Sequence, residues 1–312
     1  LESAGVLGLE TPVERLQHMN QPAYEFYLNR NPGIDLAADR LEIGVCAQHN
    51  NGGIDVDLWW RSSIAGLFPV GEAAGAHGVA RPGGAALNSA QVGATRAAQW
   101  IAAREQGAAR ADEGWQELAG DALQKARSLL EAACGREESS GVLIDDVLME
   151  STRAMSDNAG LVRSRQGLEE LARNVAEWRR RVVDECVVDP TSRRSVDRLF
   201  LVRDILDVQA VYVAAMLDHL DHGVGSRGSV LYTDPDGDLP VSWWNDGADL
   251  DVEEIFRHRL DSKAHHGVTQ RVSVDAVGEA IHAHWGPVRP IPTEDEFLEN
   301  VWKTYRVDHN IH

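Results

Sequence analysis

The chain has 312 residues, and its 30 basic against 49 acidic side chains give a net charge of -19, a balance that repels nucleic-acid phosphates and anionic membranes. Its length predicts two or three packed units with a sizeable core. Three cysteines, Cys46, Cys134 and Cys186, lack CxxC spacing; this argues against a disulfide framework, a zinc site or an iron–sulfur site and fits a reducing cytoplasm.

The opening LESAGVLGLE has neither an initiator Met nor the basic head of a signal peptide, so the sequence reads as a piece of a longer polypeptide. No apolar run approaches the ~18 residues that a membrane span needs. The first forty residues pair a helix-like run, PVERLQHMNQPAYEFYLNR, with a turn at Pro32 and Gly33, an edge segment without its own core. From Leu41 to Val70, the pieces LEIGVCAQ, GGIDVDLWW and AGLFPVG are separated by Gly and Asn and predict strands joined by tight turns.

The last piece runs into GLFPVGEAAGAHGVARPGGAALNSAQVG, which holds seven glycines in 28 residues. After it, AALNSAQVGATRAAQWIAAR places Leu87, Ala90, Ala94, Ala97, Ala98 and Ile101 at three- and four-residue intervals, an amphipathic helix with a small-residue face. Four longer helical periodicities follow between Ala111 and Leu220, bounded by Gly, Ser or Asp-Pro signals, and predict an antiparallel bundle. Beyond Gly223, YTDPDGDLPVSWWNDG reads as loop and SVDAVGEAIHAHWG as one short strand or helix. The predicted class is α+β: residues 1–40 as linker or end of a capping region, 41–106 as part of a cofactor-binding α/β domain, 107–222 as a helical bundle and 223–312 as a small mixed region.

A strand, a glycine-rich turn and a helix start can hold an anionic or ring-shaped cofactor, because the first amides of a helix have no intrahelical acceptor and face the ligand with a favourable dipole. The alternative is that the glycines only turn the chain or let the helix pack closely, and composition favours neither. Glu72, directly after the predicted strand, reads either as an acceptor for sugar-like hydroxyls or as an exposed loop acid. GVGSRG, Gly223 to Gly228, fits G-x-G-x-x-G but follows a helix rather than a strand, so it is a helix terminator. The pairs His282/His284 and His265/His266 could ligate a metal, but no cysteine or spaced acid completes a set, and the reading is no metal. In each of the pairs Trp59–Trp60 and Trp243–Trp244, strand alternation would put one ring in the core and the other outward as a candidate interface residue.

The order QHNNGGI, then GLFPVGEAAGAHGVARPGGAALNS, then GSRGSVLYTD resembles the C-terminal half of the flavoprotein subunits of succinate dehydrogenase and fumarate reductase. That family also holds L-aspartate oxidase and the adenylylsulfate reductase flavoprotein. Its members carry an HYTMGGI-like segment, a GLYAAGE strand end, an HGANRLGGNSL loop entering a helix, and a helical domain closing near ESRGAH. The resemblance covers roughly Pro32 to Arg104 and, more loosely, the helices to Asp234.

The resemblance implies FAD, with Glu72 toward its ribityl or ribose region, the backbone of Ala86 and Leu87 toward the flavin pyrimidine edge, and Gly71, Gly83 and Gly84 as further cofactor-binding positions. It implies that Arg81 grips a substrate carboxylate through two parallel hydrogen bonds. Gln48 falls where the family has its substrate-binding His, and His49 is one residue away. Ala85 and Ala86 replace the usual NS, and Pro82 the usual Leu. Gln donates a hydrogen bond but carries no charge, which points to a relative with a different substrate. Arg227 of GSRG matches the family's ESRG and reads either as a substrate residue or as a cation at the end of the preceding helix.

Two functions follow. One is an FAD-dependent oxidoreductase acting on a carboxylate-bearing small molecule, of which this chain is the C-terminal part and by itself binds FAD weakly or not at all. The other is an interaction module whose helices dock an electron-transfer subunit or a second copy. Nucleic acid is excluded as a partner, and the expected location is the cytoplasm, with peripheral attachment at the inner membrane face as the variant.

Overall fold

A computed structural model describes residues 11–39, 49–78, 81, 84–104, 114–137, 141–189, 191–228, 230–241, 252–275, 280–288, 293, 303 and 306–307. The chain divides into two units, Leu1–Asn50 and Asn51–His312. In the first, α1 (Pro12–Met19) and α2 (Gln21–Arg30) carry no buried residue, as expected for a segment lacking a core. Their boundaries are written in local chemistry. Thr11 and Glu14 close a reciprocal capping box at the start of α1, and Asn20 ends α1 and caps α2.

The second unit is built on helices. After α3 (Ala85–Arg104) and α4 (Trp115–Cys134) come α5 (Ile144–Ala159), α6 (Arg165–Asp184) and α7 (Arg193–Asp221), close to the four periodic runs of the sequence. Ser164 and Ser192 cap α6 and α7 by accepting the amides of Gly167 and Ser195. The shared core lies between α5, α6 and α7, where Val147, Leu168, Leu171, Val175, Leu199 and Leu206 are at most 1% exposed. At about 25 cal/mol per Å² of apolar surface removed from water, each such side chain contributes roughly 1.5–3 kcal/mol.

Short parallel ladders clip the ends of these helices. β1 (Val142–Leu143) pairs with β3 (Cys186–Val187), and β2 (Val162–Arg163) with β4 (Leu231–Asp238). The β4 segment replaces the loop expected at YTDPDGD. Gly237 makes this arrangement feasible, because a Cβ there would stand 2.4 Å from the His258 backbone that bridges to Thr233 and Asp238. The element expected at SVDAVGEAIHAHWG is likewise two: its ends belong to β5 (Val268–Val274) and β6 (Ile281–Pro287), an antiparallel pair. Their seat is Asp218 of α7, whose carboxylate accepts Gln270 Nε2 at 2.7 Å and Trp285 Nε1 at 2.9 Å.

The strands predicted for GGIDVDLWW and AGLFPVG do not form. Several of their backbone bonds close locally instead, with the Asp57 amide donating to Arg61, the Trp60 amide to Asp57 and the Leu67 amide to Ile64, as turns do. LEIGVCAQ and the pair Trp243–Trp244 lie outside the described residues.

Cys186 is fully buried, and burial pushes its thiol up to about 11, so it serves as a small core side chain rather than a nucleophile. His219 is 9% exposed, contacts the Gly225 carbonyl through Nε2 at 2.9 Å, and stacks on Tyr232 at 4.6 Å. Burial lowers its pKa, against the opposing pull of that carbonyl. Above about pH 6.5, folded and unfolded chains both carry this ring neutral. As pH falls below that value the unfolded chain takes up a proton that the folded site resists, so stability declines. Urea midpoints are therefore expected to drop between about pH 7.5 and 5.5, and His219→Gln is expected to flatten that drop; an unchanged slope would contradict this assignment.

Candidate functional site

The glycine-rich stretch resolves into three kinds of position. Gly53 and Gly75 permit a backbone crossing. A Cβ on Gly75 would lie 1.9 Å from the Gly53 nitrogen, and one on Gly53 would lie 2.5 Å from the Ala73 carbonyl. The crossing is tied by the Ile54 amide donating to the Ala73 carbonyl at 2.8 Å, and Gly75 takes φ +59, which glycine tolerates without steric cost.

Gly71 and Gly93 permit helix packing. The one-turn 3₁₀ segment Gly71–Ala74 lies against α3, with a Gly71 Cβ placed 3.3 Å from the Ala90 methyl. One turn further along, Gly93 is covered by the Trp60 indole, 2.5 Å from where its Cβ would be. The small-residue face of α3 thus receives a turn and a tryptophan. Gly66, Gly78 and Gly84 form the third kind: each has positive φ, and among the described residues a Cβ on any of them would meet nothing within 4 Å.

Trp59 and Trp60 are not in a strand, so the alternation expected for them fails. Trp60 sits at φ +57 in a turn whose Asp57 accepts the amides of Trp59 (2.8 Å) and Arg61 (3.0 Å). Burial opposes the Asp57 charge, but the bonds from Arg61 and Trp59 outweigh it and hold the carboxyl below the usual range. The left-handed residue turns both rings toward α3. Trp59, 7% exposed, meets Trp100 at 5.7 Å, and Arg96 stacks over Trp59 at 4.2 Å while donating to the Leu58 carbonyl at 2.7 Å.

The structure therefore places Gly71 and Glu72 on the turn that abuts α3, and Gly84, Ala86 and Leu87 at the start of that helix. Glu72 is exposed and Arg81 is half-buried. Gln48 and Gly83 lie outside the described residues, and His49 belongs to the first unit. Arg227 meets a carboxylate of its own chain, Asp261, at 3.5 Å, and that side chain is 5% exposed. It does not cap α7, which ends six residues earlier with the Asp218 carbonyl taken by the His222 amide. Gly223 and Gly225 after α7 both have positive φ, consistent with the terminator reading of GVGSRG. His282 and His284 sit exposed on β6, and among the described residues no group of three metal-ligating side chains gathers. Trp60 and Asp57 are what the sequence reading missed; the signal was the Asp-x-Trp-Trp-Arg spacing, which suits an Asx turn as well as a strand.

Against solved structures, the chain matches FrdA of an E. coli quinol fumarate reductase at a TM-score of 0.65 and 18% identity, over 92% of this chain and 45% of that one. It matches a Mycobacterium smegmatis Sdh1 complex in the apo form at 0.59 and 20%, over 97% and 47%. Among curated proteins, 66 residues are 39% identical to one subunit of the fumarate reductase (CoM/CoB) of Methanothermobacter marburgensis, covering 21% of this chain and 12% of that protein. The chain thus shares the fold of these solved proteins and, over those 66 residues, is similar in sequence to the fumarate reductase subunit. It matches no family model, and it spans less than half the length of these solved relatives. No described helix is long and apolar enough to cross a membrane.

The crossing and the packed indole make a prediction. Gly75→Ala combines a left-handed alanine with a backbone collision and is expected to cost on the order of 2–4 kcal/mol in urea unfolding. Gly78→Ala, at a similar φ in open space, should cost about 1 kcal/mol. Equal costs would show that the crossing does not constrain the fold.

Proposed function

We propose that these residues supply the flavin-edge and helical part of an FAD-dependent oxidoreductase acting on a carboxylate-bearing small molecule. The observation that carries this reading is the seating of the Gly71–Ala74 turn on α3, which ties Glu72 to the helix whose first amides belong to Ala85, Ala86 and Leu87. The residues fit the group they would face. Bare Gly84 leaves room for a flat ring, a 20-residue helix presents its positive end there, and the exposed Glu72 carboxylate can accept from sugar hydroxyls.

Flavin, when bound, supplies hydride exchange with a substrate carbon. The protein's part is position and charge. The Ala86 and Leu87 amides would donate to the carbonyl edge of the ring, and Arg81 would hold the substrate carboxylate as a bidentate cation through the reaction. Gln48, where the relatives have His, would offer a neutral donor, so a second carboxylate on the substrate would be bound less firmly. His49 and Arg227 have weaker support, Arg227 because its guanidinium already pairs with Asp261.

The reading extends to cytoplasmic action alongside an electron-transfer protein, supported by the family relationship. In the protein that carries this chain, purified without reconstitution, visible flavin absorbance is expected. Arg81→Ala should lower kcat/KM on the order of 10²–10³-fold while leaving flavin content unchanged. The 312 residues alone should show weak or no FAD binding by titration calorimetry, since each remaining contact must form without the diphosphate anchor. A flavin-free protein that takes up no added FAD would end the proposal.

A further inference from the structure

α7 is a 29-residue helix that carries two apolar rows. One, Leu199, Val202, Leu206 and Val213, lies in the core at 1% exposure or less. The other, Leu201, Ile205, Val208 and Tyr212, recurs at intervals of four, three and four residues. In this second row Leu201, Val208 and Tyr212 remain 53%, 53% and 39% exposed. A surface helix needs one such row to join its domain; among the described residues, the second is left largely exposed.

Together with Met155 and Thr152 of α5, Ile205, Val208 and Tyr212 of the second row wall a shallow, open groove of about 430 Å³ that is almost wholly apolar, and exposed Leu201 continues the row beyond it. Gln209 lines it, 6% exposed, and its Oε1 has no hydrogen-bond donor. An acceptor left unmade in such surroundings destabilises the protein until a donor reaches it. Asp204 also lines the groove and, among the described residues, pairs with its neighbour Arg203 at 3.0 Å, a largely solvent-exposed pairing that water screens and a better cation can displace.

We propose that the α5–α7 groove docks an amphipathic helix of a partner polypeptide, which lays an apolar row along Leu201, Ile205, Val208 and Tyr212 and directs a Lys or Arg toward Gln209 and Asp204. Three features choose this occupant. The row from Leu201 to Tyr212 spans about 16 Å, three turns, the length over which helix-in-groove anchors repeat. The long open side suits a helix better than an enclosed small molecule. The net charge of -19 and the unpartnered acceptor both call for a cation, whose methylene stem can lie on the apolar wall while its head reaches the floor.

The probe is a fluorescently labelled helical peptide with leucines at i, i+4, i+7 and i+11 and lysines beside them, titrated against the full chain by anisotropy. Saturable binding is expected, weakened on the order of tenfold or more by Val208→Asp, and by exchanging the peptide's lysines for glutamates. Gln209→Leu, checked for an unchanged fold by circular dichroism, is expected to reduce the preference for lysine over glutamate. Absence of saturable binding, equal binding of both peptides, or indifference to Val208→Asp would overturn the proposal. Sedimentation showing a dimer that Val208→Asp dissolves would overturn it too, by giving the face to a second copy.

Discussion

The second unit's candidate site depends on one contact between stretches of bare backbone, the crossing of Gly52–Gly53 over Ala73–Gly75. Side chains there would collide at 1.9–2.6 Å, so the crossing exists only because both positions are glycine. It fixes where the chain turns into the Gly71–Ala74 segment, which then has no freedom except to lie on α3. Trp60 over Gly93 applies the same logic one turn along the helix. Glu72 and the amides at the start of α3 are therefore placed relative to one another by this packing.

This divides the labour among the glycines. Those at 53, 71, 75 and 93 are used by the protein itself, while Gly84 at the helix start meets no described neighbour within 4 Å. The packing reading of the glycine-rich stretch holds at Gly71, Gly75 and Gly93, and the ligand-facing reading is the one proposed for the start of α3.

The helices were legible because their signals are local. Ser164, Ser192, Thr11 and Asn20 cap elements within three residues of themselves, and the apolar spacing of α5 to α7 survives any tertiary arrangement. The small-residue face of α3 was legible too, but not its occupant, since Trp60 reaches Gly93 from a turn that strand-like composition disguised. The β5–β6 pair and β4 were hidden for a related reason: their register is set by Asp218 and by the His258 backbone, contacts across the chain that no local pattern announces. For Arg227, the family's motif marked the position, while its buried partner Asp261 lies 34 residues on and was invisible in sequence.

The central claim is that the start of α3 meets flavin while the crossing behind it belongs to the fold. Amide hydrogen exchange of the protein that carries this chain, with and without FAD, tests it directly. FAD is predicted to slow exchange at Ala86 and Leu87, while the Ile54 amide, bonded to the Ala73 carbonyl, is slow in both states. Unchanged exchange at Ala86 and Leu87 on saturation with FAD, or an Ile54 amide exchanging like that of an open chain, would contradict it.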